Sequence, residues 1–232
     1  MIKVEGLKKL YGGTTVLNIP ELQIPNKQCF GLVGNNGAGK TTFFRTILDL
    51  IRPTEGRVLI NRKNVRETEE WKNYVGSYLD EHQLLSYLTP DEYFEALRKI
   101  YNMSDEDLQQ HLQKFEVFFN DEIVGKKKYI RSLSKGNIKK VGIAAAMMGH
   151  PDIVLLDEPF ENLDPSSQSR LKKFIIAEIQ ENQTTFLISS HDLTHVTEVC
   201  NRIVLLEKGL ILQDLHKDKE DMAAALHGYF ED

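Results

Sequence analysis

Short apolar runs separated by turn residues fill the first sixty positions, and apolar residues at helical spacing take over near position 90. The runs at 2–7, 16–19, 22–25 and 56–60 are punctuated by Gly12-Gly13, Pro20 and Gly56, residues that end one strand and let the chain return. They predict a β-rich layer. Cys29-Phe30-Gly31-Leu32-Val33 is a continuous apolar run, the pattern of a strand buried on both faces. At Thr89-Pro90-Asp91-Glu92 the period changes: threonine with glutamate three residues on forms a capping box, and proline fits the first turn. Tyr93, Phe94, Leu97, Ile100 and Tyr101 then share a helix face, and Ser104 opens a second helix carrying Leu108, Leu112 and Phe115. Residues 89–148 predict a mainly helical block. Strand and helix alternate afterwards, with strands at 153–156, 185–189 and 202–206 and helices at 166–179 and 193–199. A tail at 217–230 fits an amphipathic helix through Met222, Leu226, Tyr229 and Phe230, with core packing its expected role.

The whole chain of 232 residues reads as one domain over 1–232: an α/β core interrupted by a helical subdomain at about 89–148. Its 41% hydrophobic and 27% charged residues permit a sizeable core and exclude wholesale disorder. A net charge of -5 argues against a general nucleic-acid clamp, and no direct nucleic-acid partner is expected. The densest basic cluster, Lys126-Lys127-Lys128, Arg131, Lys135, Lys139 and Lys140, is explained at least as well by a solvated face. Cys29 and Cys200 form neither a C-x-x-C pair nor a disulfide framework, which fits a reducing, cytosolic compartment. The stretch Met1-Ile2-Lys3-Val4-Glu5 lacks a signal-peptide apolar region, and no apolar run approaches ~18 residues. The expected route to a membrane is therefore another chain.

Gly34-Asn35-Asn36-Gly37-Ala38-Gly39-Lys40-Thr41 fits G-x-x-x-x-G-K-[ST] between a predicted strand and a predicted helix that starts with Thr41-Thr42. In such a loop the glycines turn backbone N–H groups onto phosphates, and the helix N-terminus adds positive potential. Lys40 reaches the β/γ-phosphates, and the Thr41 hydroxyl can ligate magnesium. The expected ligand is a nucleoside triphosphate, ATP, with Mg²⁺. Ile153-Val154-Leu155-Leu156-Asp157-Glu158 resembles a Walker B motif: Asp157, at the end of a buried strand, is placed to hold magnesium, and Glu158 to activate the attacking water.

Leu133-Ser134-Lys135-Gly136-Asn137, lying just before that strand, resembles the signature motif of the ABC ATPase family. Ser134 and Gly136 match the usual L-S-G-G-Q, whereas Lys135 and Asn137 depart from it. Leu163 and Asp164 match the family's D-loop, although Asp164-Pro165 equally suits a plain helix cap. His191, closing the apolar run 184–190, is similar to the switch histidine that contacts the γ-phosphate. His195 follows it at a metal-ligand spacing, but no third ligand is evident. The remaining histidines, including His82, His111 and His150, are expected on solvated surfaces. Tyr11 matches the position that stacks on adenine, or is a hairpin aromatic. The family's Q-loop glutamine, a magnesium ligand, falls on Glu81 counting forward from Tyr78-Leu79 and on Asp80 counting back from Leu88-Thr89.

The resemblance implies a P-loop NTPase core with an antiparallel β-subdomain and an inserted helical subdomain. It also implies a head-to-tail homodimer in which Ser134 and Gly136 of one copy face the phosphate loop of the other. The implied function is ATP hydrolysis that energises transport through a separate transmembrane permease, on the cytoplasmic face of the membrane. The stand-alone size is similar to subunits of bacterial exporters. The other reading is a non-transport ABC ATPase acting on ribosomes or DNA.

Overall fold

In a computed structural model, which describes residues 1–217 and residue 222, the two hydrophobic textures become two sheets and a group of helices. Strands β1 (Ile2–Tyr11), β2 (Thr14–Ile24), β4 (Glu55–Ile60) and β5 (Lys63–Asn64) form a sheet in the order β2-β1-β4-β5, antiparallel throughout. Pro20, read above as a break, lies inside β2 instead. Among the described residues that strand pairs only with β1, at the sheet's edge, where a residue without an N–H removes no bond from a second neighbour.

The second sheet runs β10-β9-β3-β8-β7-β6, built from β3 (Cys29–Val33), β6 (Val75–Tyr78), β7 (Ile153–Asp157), β8 (Thr185–Ser190), β9 (Arg202–Glu207) and β10 (Leu210–His216). All its pairings are parallel except the β9–β10 hairpin. Strand alternation divides its side chains between two cores. Phe30, Leu32, Ile153, Leu155, Leu187, Val204 and Leu206 pack toward the antiparallel sheet and helix α1 (Lys40–Ile47), while Val33, Val154, Leu156, Phe186, Ile188, Ile203 and Leu205 pack toward the other helices. Strands buried on both faces are near-continuously apolar, with polar residues only toward their ends, which is why these strands read as runs rather than as alternation.

Between β6 and β7 come α2 (Pro90–Ile100), α3 (Asp105–Lys114), α4 (Glu116–Phe119) and α5 (Lys135–Ala146); α6 (Pro165–Asn182) and α7 (Leu193–Val199) alternate with the later strands. Both anticipated N-termini are present: Thr89 and Glu92 form a full capping box on α2, and Ser104 and Asp107 form one on α3. The stretch 120–129 carries no helix, so the block is less helical than its composition suggests. Met222 is buried in the core; the rest of the anticipated tail helix, apart from Lys217, lies outside the described residues. Among the described residues no helix is long and apolar enough to cross a membrane. The two cysteines meet as buried free thiols with Sγ atoms 3.0 Å apart, a contact their distant sequence positions do not foretell.

Three polar residues expected at the surface are buried. Lys139 and Lys140 point inward from α5, 8% and 3% exposed, so the basic cluster is not one solvated face. Lys140 is paired with Glu122 at 3.6 Å, and Lys139 reaches main chain near the end of β7. His111 is likewise buried, on the face of α3 that packs against Phe115 and α5. Its Nε2 lies 2.9 Å from the Ala144 carbonyl; a carbonyl can only accept, so Nε2 carries the proton.

Burial holds the His111 pKa down at about 4, below the ~6.5 of an unfolded histidine. The unfolded chain therefore takes up more protons here between those values. The stability from a neutral His111 is complete above pH ~6.5 and is lost as pH falls toward 4, by on the order of 3 kcal/mol at most. His111→Gln, whose amide can still donate to Ala144 without titrating, is expected to weaken this acid sensitivity. Urea midpoints measured from pH 7 to 4 on both proteins check it, and parallel pH curves would contradict it.

Candidate active site

Strand β3 delivers the chain into the glycine loop at the end of the parallel sheet, and α1 carries it away. The loop is packed hard against its neighbours. A Cβ at Gly34 would lie 2.1 Å from the Leu206 carbonyl oxygen, whereas one at Gly37 would meet nothing within 4 Å. The Ala38 carbonyl accepts from Gly209 N–H at 2.8 Å, so the β9–β10 turn braces the loop from behind. Asn35, Asn36 and Gly37 are exposed at its rim. Lys40, 6% exposed, folds over the loop, with Nζ donating to Gly34 O at 2.6 Å and lying 3.2 Å from Glu158 Oε1.

Parallel register brings the end of β7 level with this loop. Asp157 Oδ2 accepts from Thr41 Oγ1 at 2.5 Å, and Oδ1 accepts from Ser189 Oγ on β8. Burial raises the Asp157 pKa, and the two hydroxyl donors counter part of that effect. Glu158 follows in the left-handed region at φ +48°, a conformation that costs a non-glycine residue about 1–3 kcal/mol and needs outside support. Support comes from several sides. Its N–H donates to Ser189 Oγ at 2.9 Å, and its carbonyl accepts from Lys139 Nζ at 2.5 Å. Its carboxylate accepts from His191 Nδ1 at 3.0 Å and, longer, from His191 N–H at 3.3 Å. A carboxylate can only accept, so Nδ1 is the donor in this contact, and in the matching neutral tautomer Nε2 is left as an acceptor.

The other anticipated residues surround this centre at different distances. Thr42, the third residue of α1, is half-buried. Glu81 is exposed in a short 3₁₀ turn and lines the same cavity as Asp157, Glu158, Lys139 and Lys135, of about 290 Å³. Asp80 also lines it, but is engaged at 3.2 Å by Arg45 and caps the 3₁₀ turn. Ser134 caps α5 by accepting from Asn137 N–H at 3.2 Å. Gly136 follows in the first turn, where an added Cβ would lie 2.8 Å from the Asn162 carbonyl. Asp164 caps α6 through the N–H groups and hydroxyls of Ser166 and Ser167, which hold its carboxyl well below the usual range. Tyr11, at the end of β1, is half exposed with Lys9 Nζ 4.7 Å above its ring. His195 packs against Phe160 with the rings tilted and their centroids 4.9 Å apart.

Ser189 and Lys139 were not anticipated. A hydroxyl at the end of an apolar strand was the available signal for the first; the second required the path of α5. Thr41 and Asp157 offer hard oxygens side by side, the donor chemistry of Mg²⁺. Among the described residues no cluster of three or more His, Cys, Asp or Glu forms a metal site, so a cation here would depend on substrate phosphates and water for the rest of its shell, as Mg²⁺ in nucleotide sites does.

The family model described as "ABC transporter" matches residues 17–161. The chain is 34% identical over 221 residues to the bacitracin transport ATP-binding protein BcrA of Enterococcus faecalis, spanning 93% of this chain and 69% of that protein. It is 28% identical over 222 residues to the lantibiotic transport ATP-binding protein SrtF of Streptococcus pyogenes, spanning 94% and 92%. In fold it is similar to the ATP-binding cassette MJ0796, solved as a dimer bound to ADP and Pi, with TM-score 0.82 and 24% identity over 93% of this chain and 98% of that one.

The loop packing separates two glycines. Gly34→Ala should force the loop off the Leu206 carbonyl and cost about 1–3 kcal/mol, roughly 2–4 °C of Tm per kcal/mol for a chain of this size. Gly37→Ala, with open space but φ +85°, should cost less, near 1 kcal/mol. Thermal unfolding of the two variants checks the order, and equal losses would contradict the packing argument.

Proposed function

The chain belongs to the ABC transporter family as an ATP-binding, ATP-hydrolysing subunit that energises transport, and on that premise we propose how its own residues divide the work. Residues 1–232 act as one cassette, with 89–148 as its helical subdomain, that closes head to tail on a second copy. The observation that carries this reading is the Glu158 carboxylate, held between Lys40 and His191 beside the Thr41–Asp157 pair.

Residues Gly34 through Thr42 cradle the triphosphate, with Lys40 placed against the β/γ-phosphates. Thr41 and Asp157 would hold Mg²⁺, and Glu81, which lines the same cavity as Asp157, would add a further carboxylate oxygen. Bound there, the cation would neutralise charge on the bridging and terminal phosphate oxygens. Glu158 takes a proton from the attacking water, and His191 keeps the carboxylate aimed while its Nε2 accepts a hydrogen bond from water. Tyr11 stacks on adenine. Ser134 and Gly136 of one copy bind the nucleotide held by the other, and Asp164 lies where the two copies meet. ATP binds the closed dimer better than the open one, so hydrolysis reverses a population shift and moves the permease. The cassette works on the cytoplasmic face of the membrane, attached through that separate permease. Recovery of a polytopic partner with this chain from detergent-solubilised membranes would support the attachment; recovery only of ribosomes or DNA would overturn it.

Glu158→Gln keeps shape but cannot take the proton, so turnover should fall ~10² to 10⁴-fold with ATP binding retained. An ATP-stabilised dimer should accumulate in sedimentation. Near-wild-type hydrolysis would remove Glu158 from this role.

Shared sites lead to a second expectation. Lys40→Ala damages the phosphate loop and Ser134→Arg blocks the opposing contact, so a mixed dimer holds one doubly damaged site and one intact site. Mixing the two inactive variants should restore hydrolysis. No gain over either variant alone, with heterodimers demonstrated, would count against sites that are shared and able to fire singly.

A further inference from the structure

Lys139 lies five residues beyond the Ser134 cap on α5, buried against the end of β7 rather than aimed at solvent. Its Nζ donates to the Glu158 carbonyl at 2.5 Å and lies 3.9 Å from Glu161 Oε2. Burial lowers the Lys139 pKa, while Glu161, Glu158 and Asp157 oppose that shift. Among the described residues the Glu158 carbonyl has one other donor, the Glu161 N–H at 3.3 Å, long for a hydrogen bond and uncharged. A short, charge-assisted bond is the stronger of the two. The opposite side of the residue is fixed by Ser189, so Lys139 and Ser189 hold the left-handed backbone from two different elements.

We propose that Lys139 is a positioning residue for hydrolysis: by binding the Glu158 carbonyl it fixes the left-handed backbone that aims the Glu158 carboxylate between Lys40 and His191. The inference rests on the reading of Glu158 as the group that activates water. The contact through which Lys139 acts is the Glu158 carbonyl, which makes its role one of positioning rather than of proton transfer. Without its ammonium the peptide plane can turn about the Glu158 backbone, and a small rotation there is magnified at the end of the side chain. The clamp also joins two functions on one helix. Ser134 and Lys139 are about 7.5 Å apart along α5 at the usual rise per residue, so a nucleotide of the partner copy docking on Ser134 bears on the helix that holds Glu158.

Lys139→Met retains the aliphatic stem and removes the donor; Lys139→Arg retains a charged donor, with the adjoining cavity giving it room. Lys139→Met should lower kcat for ATP hydrolysis roughly 10- to 100-fold, the scale of a misplaced catalytic group, while affinity for ATP, read by a fluorescent analogue, stays within about twofold. Lys139→Arg should recover much of the loss. In a Glu158→Gln background Lys139→Met should produce no further fall, because its effect passes through the carboxylate already removed. A lysine serving stability alone would lower Tm without this split between kcat and affinity. Wild-type kcat in Lys139→Met, or an equal fall in both backgrounds, would overturn the proposal while leaving the role of Glu158 intact. Near-wild-type turnover of Glu158→Gln alone would overturn that role, and this inference with it. Should Lys139→Met not fold, Lys139→Gln, with a shorter neutral donor, carries the same comparison: a fall in kcat at unchanged affinity supports the clamp, and unchanged kcat overturns it.

Discussion

The Asp157 carboxylate, buried at the end of β7, is the constraint around which the site is arranged. Removing a carboxylate from water costs several kcal/mol unless donors replace the solvent, and here the replacements are hydroxyls from two other elements, Thr41 on α1 and Ser189 on β8. Each donor reaches Asp157 only if β3, β8 and β7 keep their parallel register, in which Val33 pairs with Ser190 and Asp157 with Ser189. One charged group thus ties the phosphate loop to the sheet. The same arrangement leaves Thr41 and Asp157 as adjacent hard oxygens.

Glu158 takes the next position along the chain and pays for its placement in backbone strain. A left-handed non-glycine residue persists only where its surroundings over-determine it, and its surroundings here include β8, α5, the phosphate loop and the turn after β8. These four contacts come from three stretches of chain far apart in sequence, at Lys40, Lys139 and Ser189 to His191. Their agreement on one residue is a consequence of the fold rather than of any local preference of the chain.

Small residues let the helical block approach the core closely enough to take part. A Cβ at Gly142 of α5 would collide with the Tyr78 ring of β6, and one at Gly76 of β6 would collide with the Ala146 carbonyl at the other end of α5. Gly136 similarly admits the Asn162 carbonyl. The helix is therefore seated against β6 and the loop after β7 along most of its length, which brings a lysine of α5 within hydrogen-bond reach of Glu158. Close-packed contacts of this kind transmit displacement rather than absorb it.

Local chemistry in the chain was sufficient for much of the outline. Apolar runs marked β3, β7, β8 and β9 because the middle of a strand buried on both faces is apolar on every side, and Thr89 and Ser104 marked helix starts because a cap and its partner are only three residues apart. The glycine loop with Lys40 and Thr41, and Asp157-Glu158 after an apolar strand, were legible for the same reason: the chemistry and the residues that supply it are contiguous. What required the tertiary structure depends on residues distant in sequence. Pro20 could stay within a strand because β2 lies at an edge, and His111 and Lys139 were drawn inside because Ala144 O and Glu158 O await them there. Spacing along a chain determines which groups a helix or strand can present; whether water or another segment satisfies them is decided only when the elements pack.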